Sequence, residues 1–459
     1  MRVPLPLGGT IVGARAAGTL SRLFRAGGGT TLPGKLVSKL DSTAVDRLAE
    51  RLPEGSVLIS ATNGKTTTAA MAAEILRPRY ELAYNAAGAN LISGVTGALL
   101  SARHAELGLF EVDEAALLEV ARRVRPRILC LGNLFRDQLD RYGELELIAE
   151  RWRETVAALP EAILVVNGDD PLVGDLARLT GPGRTIVYGL DDPRVARAAL
   201  QHAADSKHCL VCGTPLGYVA AYVGHLGDYT CPHCGAARPA LDVCAREIEL
   251  HGPEGVAFSL ESQGGFARVE LALPGLYNVY NAVAAAAVCL TLDVPLGDVV
   301  AGLERFLPAF GRFERIPIGE RRLLILLIKN PAGANEAIRT LIDRGGPRVA
   351  VVALNDDVAD GHDVSWIWDV DFEPFADGCE RIVVSGTRAA EMALRFAYGG
   401  FDRGRIDVVP DLEQALDRGL ALTPPGGELV VLPTYTAMLA LRRIVSRRGH
   451  AKNFWEKAA

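Results

Sequence analysis

Lys65 and Thr66 follow Gly64 in "LISATNGKTTTAAM", residues 58–71, directly after the apolar run "SVLIS". A strand that turns at glycine into a helix offers backbone N–H groups and a positive helix end to phosphate. A lysine there reaches the β- and γ-phosphates of a nucleotide, and the Thr66 or Thr67 hydroxyl can hold Mg²⁺. The loop departs from G-x-x-x-x-G-K-[ST], because Ile59 stands where that pattern has glycine. In "LFEVDEAAL", Glu111 and Asp113 close an apolar strand, where a carboxylate can complete a metal site or simply cap a helix. "LGNLFRDQLDRYGELE" adds Asn133, Asp137 and Asp140 after another strand. Open α/β sheets bind ligands at that edge.

A second chemistry lies in Cys209-Leu-Val-Cys212 and Cys231-Pro-His-Cys234, eighteen residues apart. The spacing is that of a zinc ribbon, in which four thiolates close a tetrahedron. Gly213 and Gly235 follow the second cysteine of each pair, where a knuckle needs positive φ. His208 and His233 are alternative ligands. Four protein ligands leave no open position, so the expected role of the Zn²⁺ is structural. Cys130 and Cys289 lie in apolar runs and read as buried thiols. This usage suits a reducing compartment, the cytoplasm, rather than a disulfide framework.

A third group is "LNDDVADGHDVSWIWDVDFE", with Asp356, Asp357, Asp360, Asp363, Asp369 and Asp371 within sixteen residues. Trp366 and Trp368 alternate with the acids, a spacing that allows a core-facing strand surface. Cys379 in "ADGCERI" lacks the G-x-C-x-G setting of a glutaminase nucleophile.

The elements that must position these groups follow from the alternation of short β-rich runs with helical stretches. "SVLIS", "ELAYN", "LGLFEV", "RILCLGN", "AILVVN" and "TIVYGL" predict a mainly parallel sheet with crossover helices. The pattern breaks at about 205–240, around the cysteines. It resumes with "FARVELALPG" and the Ala-rich "NVYNAVAAAAVCLTL". A second series follows: "LLILLIKN", "RVAVVALND", "RIVVSG", "RIDVVP" and "ELVVLPT". The expected organisation is an N-terminal segment (1–50), a central α/β domain (51–310) with the cysteine insert, and a C-terminal α/β domain (311–459).

The chain has 459 residues and a formal net charge of −6, which argues against nucleic acid as a main partner. Lys207 and Arg238 are the formal cations of residues 205–240, too few for a nucleic-acid-binding ribbon. No apolar run suggests a membrane span. The basic, mildly apolar residues 1–29 read as a segment docked on the protein's own surface, with weak contact to an anionic membrane as the alternative.

"ATNGKTTT", "NLFRDQLDRYGE", "LPGLYNVYNAVAAAA" and "GRFE" resemble the ATP-binding landmarks of the Mur ligase superfamily. Its T-N-G-K-T loop accounts for the missing first glycine. The resemblance implies a Mur-ligase-type P-loop ATPase domain with an inserted four-Cys zinc ribbon, followed by a Rossmann-like α/β domain. It implies ATP and Mg²⁺ as cofactors beside Zn²⁺. Asn63, Gly64, Lys65, Thr66 and Thr67 would form the nucleotide loop, with Glu111 assisting the metal. Asn278, Asn281 and Arg312 would lie near the nucleotide. Three positions depart from the family pattern: Gln138, Tyr142 and Tyr277 stand where histidines are common. The modified lysine of many members has no evident counterpart. About fifty residues precede the loop, so no UDP-binding domain and no UDP-linked substrate are expected.

"IKNPAGANEAI", "LNDDVADGHDVSWIWDVDFE" and "LPTYTAML" are similar to one branch, the Mur-ligase-like subunit of lipid II isoglutaminyl synthase. That branch amidates the α-carboxylate of D-glutamate in the lipid II stem peptide, using ATP and ammonia from a GatD-type glutamine amidotransferase. On its DG-x-D motif, Asp363 would complete the partner's catalytic triad. Two alternatives remain: a free-standing Mur-type amino-acid ligase, and an ATP-regulated zinc-ribbon interaction protein.

Overall fold

The computed structural model describes residues 32–451, apart from 42, 86–88, 138–144, 182, 199, 202–203, 308–312 and 343–345. Arg312, Gln138, Asp140, Tyr142 and residues 1–31 lie outside the described residues.

The first series of apolar runs forms β1 (Ser56–Ser60), β2 (Leu82–Tyr84), β3 (Leu107–Glu111), β4 (Ile128–Leu131), β5 (Ile163–Asn167) and β6 (Thr185–Leu190). With β9 (Val243–Leu250), β10 (Val256–Ser262) and β11 (Gly265–Leu271) they make a nine-stranded sheet. Its order is β11-β10-β9-β6-β5-β4-β1-β3-β2. The pairs from β2 to β9 are parallel, and β9–β10–β11 are antiparallel. β1, β3 and β4 are buried along their whole length, as expected of parallel strands covered on both faces. One face is covered by the helices Lys65–Leu76 and Leu276–Thr291. The other is covered by the helices Leu117–Val124 and Leu145–Ala157 and by the N-terminal pair Leu32–Leu40 and Ala44–Ala49.

Between β6 and β9 the chain leaves the sheet. β7 (Gly217–Val223) and β8 (Leu226–Thr230) form a separate hairpin beside the cysteines. The second series forms a six-stranded sheet from β12 (Phe313–Ile318), β13 (Arg321–Leu326), β14 (Val349–Ala353), β15 (Arg381–Ser385), β16 (Ile406–Val408) and β17 (Glu428–Pro433). Its order is β12-β13-β17-β14-β15-β16, parallel except for the β12–β13 hairpin. Helices cover both faces, so this half is a Rossmann-like layer structure.

Trp366 and Trp368 do not form a strand. They lie in a 3₁₀ turn, Ser365–Asp369, because Val364, Ile367 and Val370 present the apolar side at a spacing of three. Trp368 is half exposed and meets the exposed Tyr398 edge-on. Among the described residues, no helix is long and apolar enough to cross a membrane.

Candidate active site

The loop 61–64 leaves the C-terminal end of β1 between two strands that frame it. β3 ends in register at Glu111, opposite Ile59, and β4 at Leu131, opposite Ser60. Gly64 turns into the helix Lys65–Leu76 with φ of +88°. A Cβ there would lie 1.9 Å from Asn281 Oδ1, so glycine is required by backbone angle and by contact. Asn281 accepts from the Thr68 hydroxyl at 3.3 Å and donates to Asn278 at 3.0 Å, and Asn278 donates to Pro274 O at 2.7 Å. The two asparagines thus brace the loop from the buried helix Leu276–Thr291.

Asn63 is fixed from the other side. Its N–H donates to Asn133 Oδ1 at 2.9 Å, and Asn133 Nδ2 donates back to Asn63 O at 3.0 Å. The Thr66 hydroxyl donates to Glu111 Oε1 at 2.8 Å, so a hydroxyl and a carboxylate sit together at the loop mouth. Thr67 follows, partly exposed, in the same helical turn. Asp113 is buried, and its carboxylate accepts from the Ala115 N–H at 3.1 Å as a turn cap.

Lys65 is buried. Its ammonium donates to Ala61 O at 2.9 Å and lies 2.9 Å from Glu114 Oε2. Burial alone favours the neutral amine, but Glu114 and then Glu111 raise its pKa. Burial would likewise push the Glu114 carboxyl up, and the Lys65 and Lys329 ammonium groups hold it below its ordinary value. The lysine is thus held charged and against the loop backbone.

The second sheet completes the site. Lys329 lies just after β13, and its ammonium donates to Thr62 O at 3.1 Å and to Asp137 at 2.6 Å. Asn330 exchanges side-chain hydrogen bonds with Asn63, at 3.0 and 3.4 Å. Asp137 Oδ1 is buried and has no hydrogen-bond partner among the described residues. Sequence reasoning missed Glu114, Lys329 and Asn330. Glu114 was hidden behind two neighbouring acids, whereas the strand-end motif "IKNP" was a visible but unassigned signal.

The four cysteine sulfurs lie within 4.8 Å of one another. Cys209 and Cys234 are 3.5 Å apart, as are Cys212 and Cys231. Zn–S bonds of about 2.3 Å in a tetrahedron place sulfurs about 3.8 Å apart, so the set fits Zn²⁺. The two knuckles are built alike. Cys209 N–H donates to Thr214 O and Cys231 N–H to Ala236 O, while the Gly213 and Gly235 N–H groups return to Cys209 O and Cys231 O. Gly213 and Gly235 have φ of +72° and +74°. His208 and His233 are not in the cluster.

In the acidic stretch the carboxylates differ. Asp360 is buried and accepts from Thr436 through both the backbone N–H and the hydroxyl, so it holds its loop on the helix Tyr435–Arg447. Asp363 is exposed and accepts from the Ser365 N–H at 2.8 Å, which holds its carboxyl below the ordinary value. Among the described residues no Lys or Arg pairs with Asp363. Asp369 pairs with Arg136 at 3.3 Å, next to the loop-bracing segment 133–137. Cys379 is buried, and burial pushes its thiol up to about 11. The thiols of Cys130 and Cys289 are buried too.

Residues 59–232 match the Mur ligase middle domain, and residues 327–438 match the MurT ligase C-terminal family. The chain is 32% identical over 447 residues to the lipid II isoglutaminyl synthase (glutamine-hydrolyzing) subunit MurT of Streptococcus pneumoniae, covering 96% of this chain and 97% of that one. The chain belongs to the MurT family of Mur ligases. The Staphylococcus aureus (strain N315) MurT subunit is 31% identical, covering 91% of this chain and 93% of that protein. A pseudomurein peptide ligase type C from Methanothermus fervidus shares the fold, with a TM-score of 0.71 and 21% identity. It covers 90% of this chain and 84% of its own. Membership makes this a ligase-type protein, and the match runs through both sheets and the cysteine insert.

Proposed function

We propose that the chain is the synthetase subunit of a lipid II isoglutaminyl synthase. In this reading it amidates the α-carboxylate of D-glutamate in the lipid II stem peptide to D-isoglutamine, at the inner face of the cytoplasmic membrane. We take residues 51–310 as the ATP-binding domain, with the insert at about 205–240, and 311–459 as the C-terminal domain, after an N-terminal segment 1–50. The observation that carries the proposal is the exposed Asp363, poised by Ser365 and with no Lys or Arg paired to it among the described residues, in a chain whose loop 61–67 is built for a nucleotide.

A free carboxylate does not accept ammonia, because its oxygen is a poor leaving group. Bound ATP with Mg²⁺ supplies the phosphoryl group that turns this oxygen into a good one, giving an acyl phosphate of the substrate. Lys65 holds the transferring phosphate. Thr66, oriented by Glu111, and Thr67 offer the hydroxyls for Mg²⁺. Asn63 and Gly64 present backbone N–H groups, and Asn278 and Asn281 keep that backbone in place. Arg312 is assigned to the nucleotide by its "GRFE" motif. Catalysis in this scheme is positioning and charge neutralisation. Cys209, Cys212, Cys231 and Cys234 hold one structural Zn²⁺.

Ammonia comes from glutamine, hydrolysed on a GatD-type amidotransferase. Asp363 accepts the N–H of that partner's catalytic histidine, which leaves its other ring nitrogen to take the thiol proton. The test is reconstitution. With such a partner, ATP, lipid II and glutamine should give D-isoglutamine-containing lipid II, and the chain alone should need ammonium instead. Ligation of an amino acid by the chain alone, with no amidation in the complex, would replace this reading by that of a free-standing ligase.

A further inference from the structure

The cysteine insert touches the C-terminal half well away from the cysteines. The inner end of β7 and the segment 193–197 form one small platform: Arg197 bridges antiparallel to Ala221, its N–H donating to Ala221 O at 2.7 Å. Against this platform lies the helix Pro331–Ile342 of the second half. The Arg197 guanidinium reaches Glu336 at 2.6 Å, and that carboxylate is buried. Arg339, one turn on, donates to Val195 O at 2.8 Å and to Tyr222 O at 3.3 Å. The same helix starts directly after Lys329 and Asn330, which grip Thr62 and Asn63 of the nucleotide loop. From Pro331 to Arg339 a helix rises about 12 Å. One rigid element therefore has its head on the nucleotide loop and its middle on the insert.

The chemistry of the contact favours one docked position. The Glu336 carboxylate is buried and Arg197 is the cation bridged to it, so sliding or lifting the helix leaves a desolvated charge without its partner. Such a pair contributes little net stability but discriminates sharply between arrangements. We propose that the insert platform is a latch for the C-terminal half, in which Arg339 and the Arg197–Glu336 pair hold the helix Pro331–Ile342 so that Lys329 and Asn330 stay on the nucleotide loop. Arg339 is then a positioning residue, and the insert has a task beyond holding its own shape. Weakening the latch lowers the fraction of molecules with a complete nucleotide site, and apparent affinity falls by that fraction. The inference uses the proposed ATP site only for its second readout.

The experiment uses the full chain in complex with its amidotransferase. Hydrogen exchange is followed in residues 331–342 and 217–223, and affinity is measured for a non-hydrolysable ATP analogue. Arg339→Ala should speed exchange in both segments and weaken analogue binding roughly tenfold, about the loss of two ordinary hydrogen bonds. The KM for ATP should rise while kcat at saturating ATP stays within about twofold, as expected of a population shift. Arg339→Lys, which keeps the charge with a single donor group, should fall between. Glu336→Gln keeps the shape and serves if Arg339→Ala does not fold. Unchanged exchange and affinity in these variants overturn the latch, as does a fall in kcat with unchanged KM. A wild-type chain that binds no ATP would sink the nucleotide reading, while the exchange comparison would still decide the latch.

Discussion

Lys65 and Glu114 form a pair that neither can leave cheaply. Both are buried, 2.9 Å apart, and each keeps the other ionised against the pull of desolvation. Removing one member of a buried pair typically costs ~3–5 kcal/mol, because the other charge stays behind unpaired. Lys65→Ala alone therefore confounds lost chemistry with lost stability. The expected outcome is a lowered melting temperature for Lys65→Ala and its recovery in Lys65→Ala/Glu114→Gln, measured by calorimetry. ATP-dependent amidation should stay down by roughly 10²–10³ in both, the usual loss for a group acting on transition-state charge. Recovered amidation in the folded double variant would remove Lys65 from the phosphate site. The residues that carry this argument were unevenly legible. Gly64, Lys65, Thr66 and Glu111 are local to the loop or at a strand end, where sequence position dictates place. Glu114 and Lys329 act through partners 49 and 192 residues away in the chain, Lys65 and Asp137. Only the fold brings those together.

At the scale of elements, sequence and structure agree wherever one periodicity dominates. All the apolar runs named as strands contain strands, and the central ones, β1, β3, β4 and β14, are parallel and buried along their whole length and so read as unbroken apolar stretches. The tryptophans misled, because alternation over three residues fits a strand as well as a turn whose apolar contacts come from Val364, Ile367 and Val370. The cysteine knuckles were legible in full. Their spacing, their glycines at positive φ and their matched hydrogen bonds are all local consequences of C-x-x-C-G. An element so local should live or die by its metal. Purified protein should contain about one equivalent of Zn²⁺ by elemental analysis, and Cys231→Ser should bring it well below one, with a lower melting temperature. Metal-free wild-type protein that is folded and active would take the structural role away.

Across the whole molecule, the carboxyl ends of both sheets face each other. β1, β3 and β4 bring the nucleotide loop and its braces, and β13 brings Lys329 and Asn330. The loop after β14 brings the acidic stretch, tied across by Arg136–Asp369 and held to its own half's helix Pro331–Ile342 by the Asp371 N–H on Asn335 at 2.8 Å. Asp363 thus sits on the same side of the molecule as the loop 61–67, on a surface turn separate from it. Its assignment to a partner's triad came from a motif and not from physics, since six acids in sixteen residues look alike in sequence. Burial separates two of them: Asp360 is spent on Thr436, whereas Asp363 faces outward with one backbone donor. Asp363→Asn keeps that turn's shape and removes the charge that, in the proposed function, a partner histidine would need. The complex should still assemble on gel filtration. Glutamine hydrolysis should fall by up to about 10⁴-fold, as when a triad aspartate is neutralised. Amidation supplied with free ammonium should survive within a few-fold, because Lys65, Thr66 and Glu111 are untouched. If the ammonium-driven reaction fell as far as the glutamine-driven one, Asp363 would belong to the synthetase chemistry or to the fold. If both persisted, the histidine would have its acceptor elsewhere, and the exposed Asp357, rather than the buried Asp360, would be the next carboxylate to change.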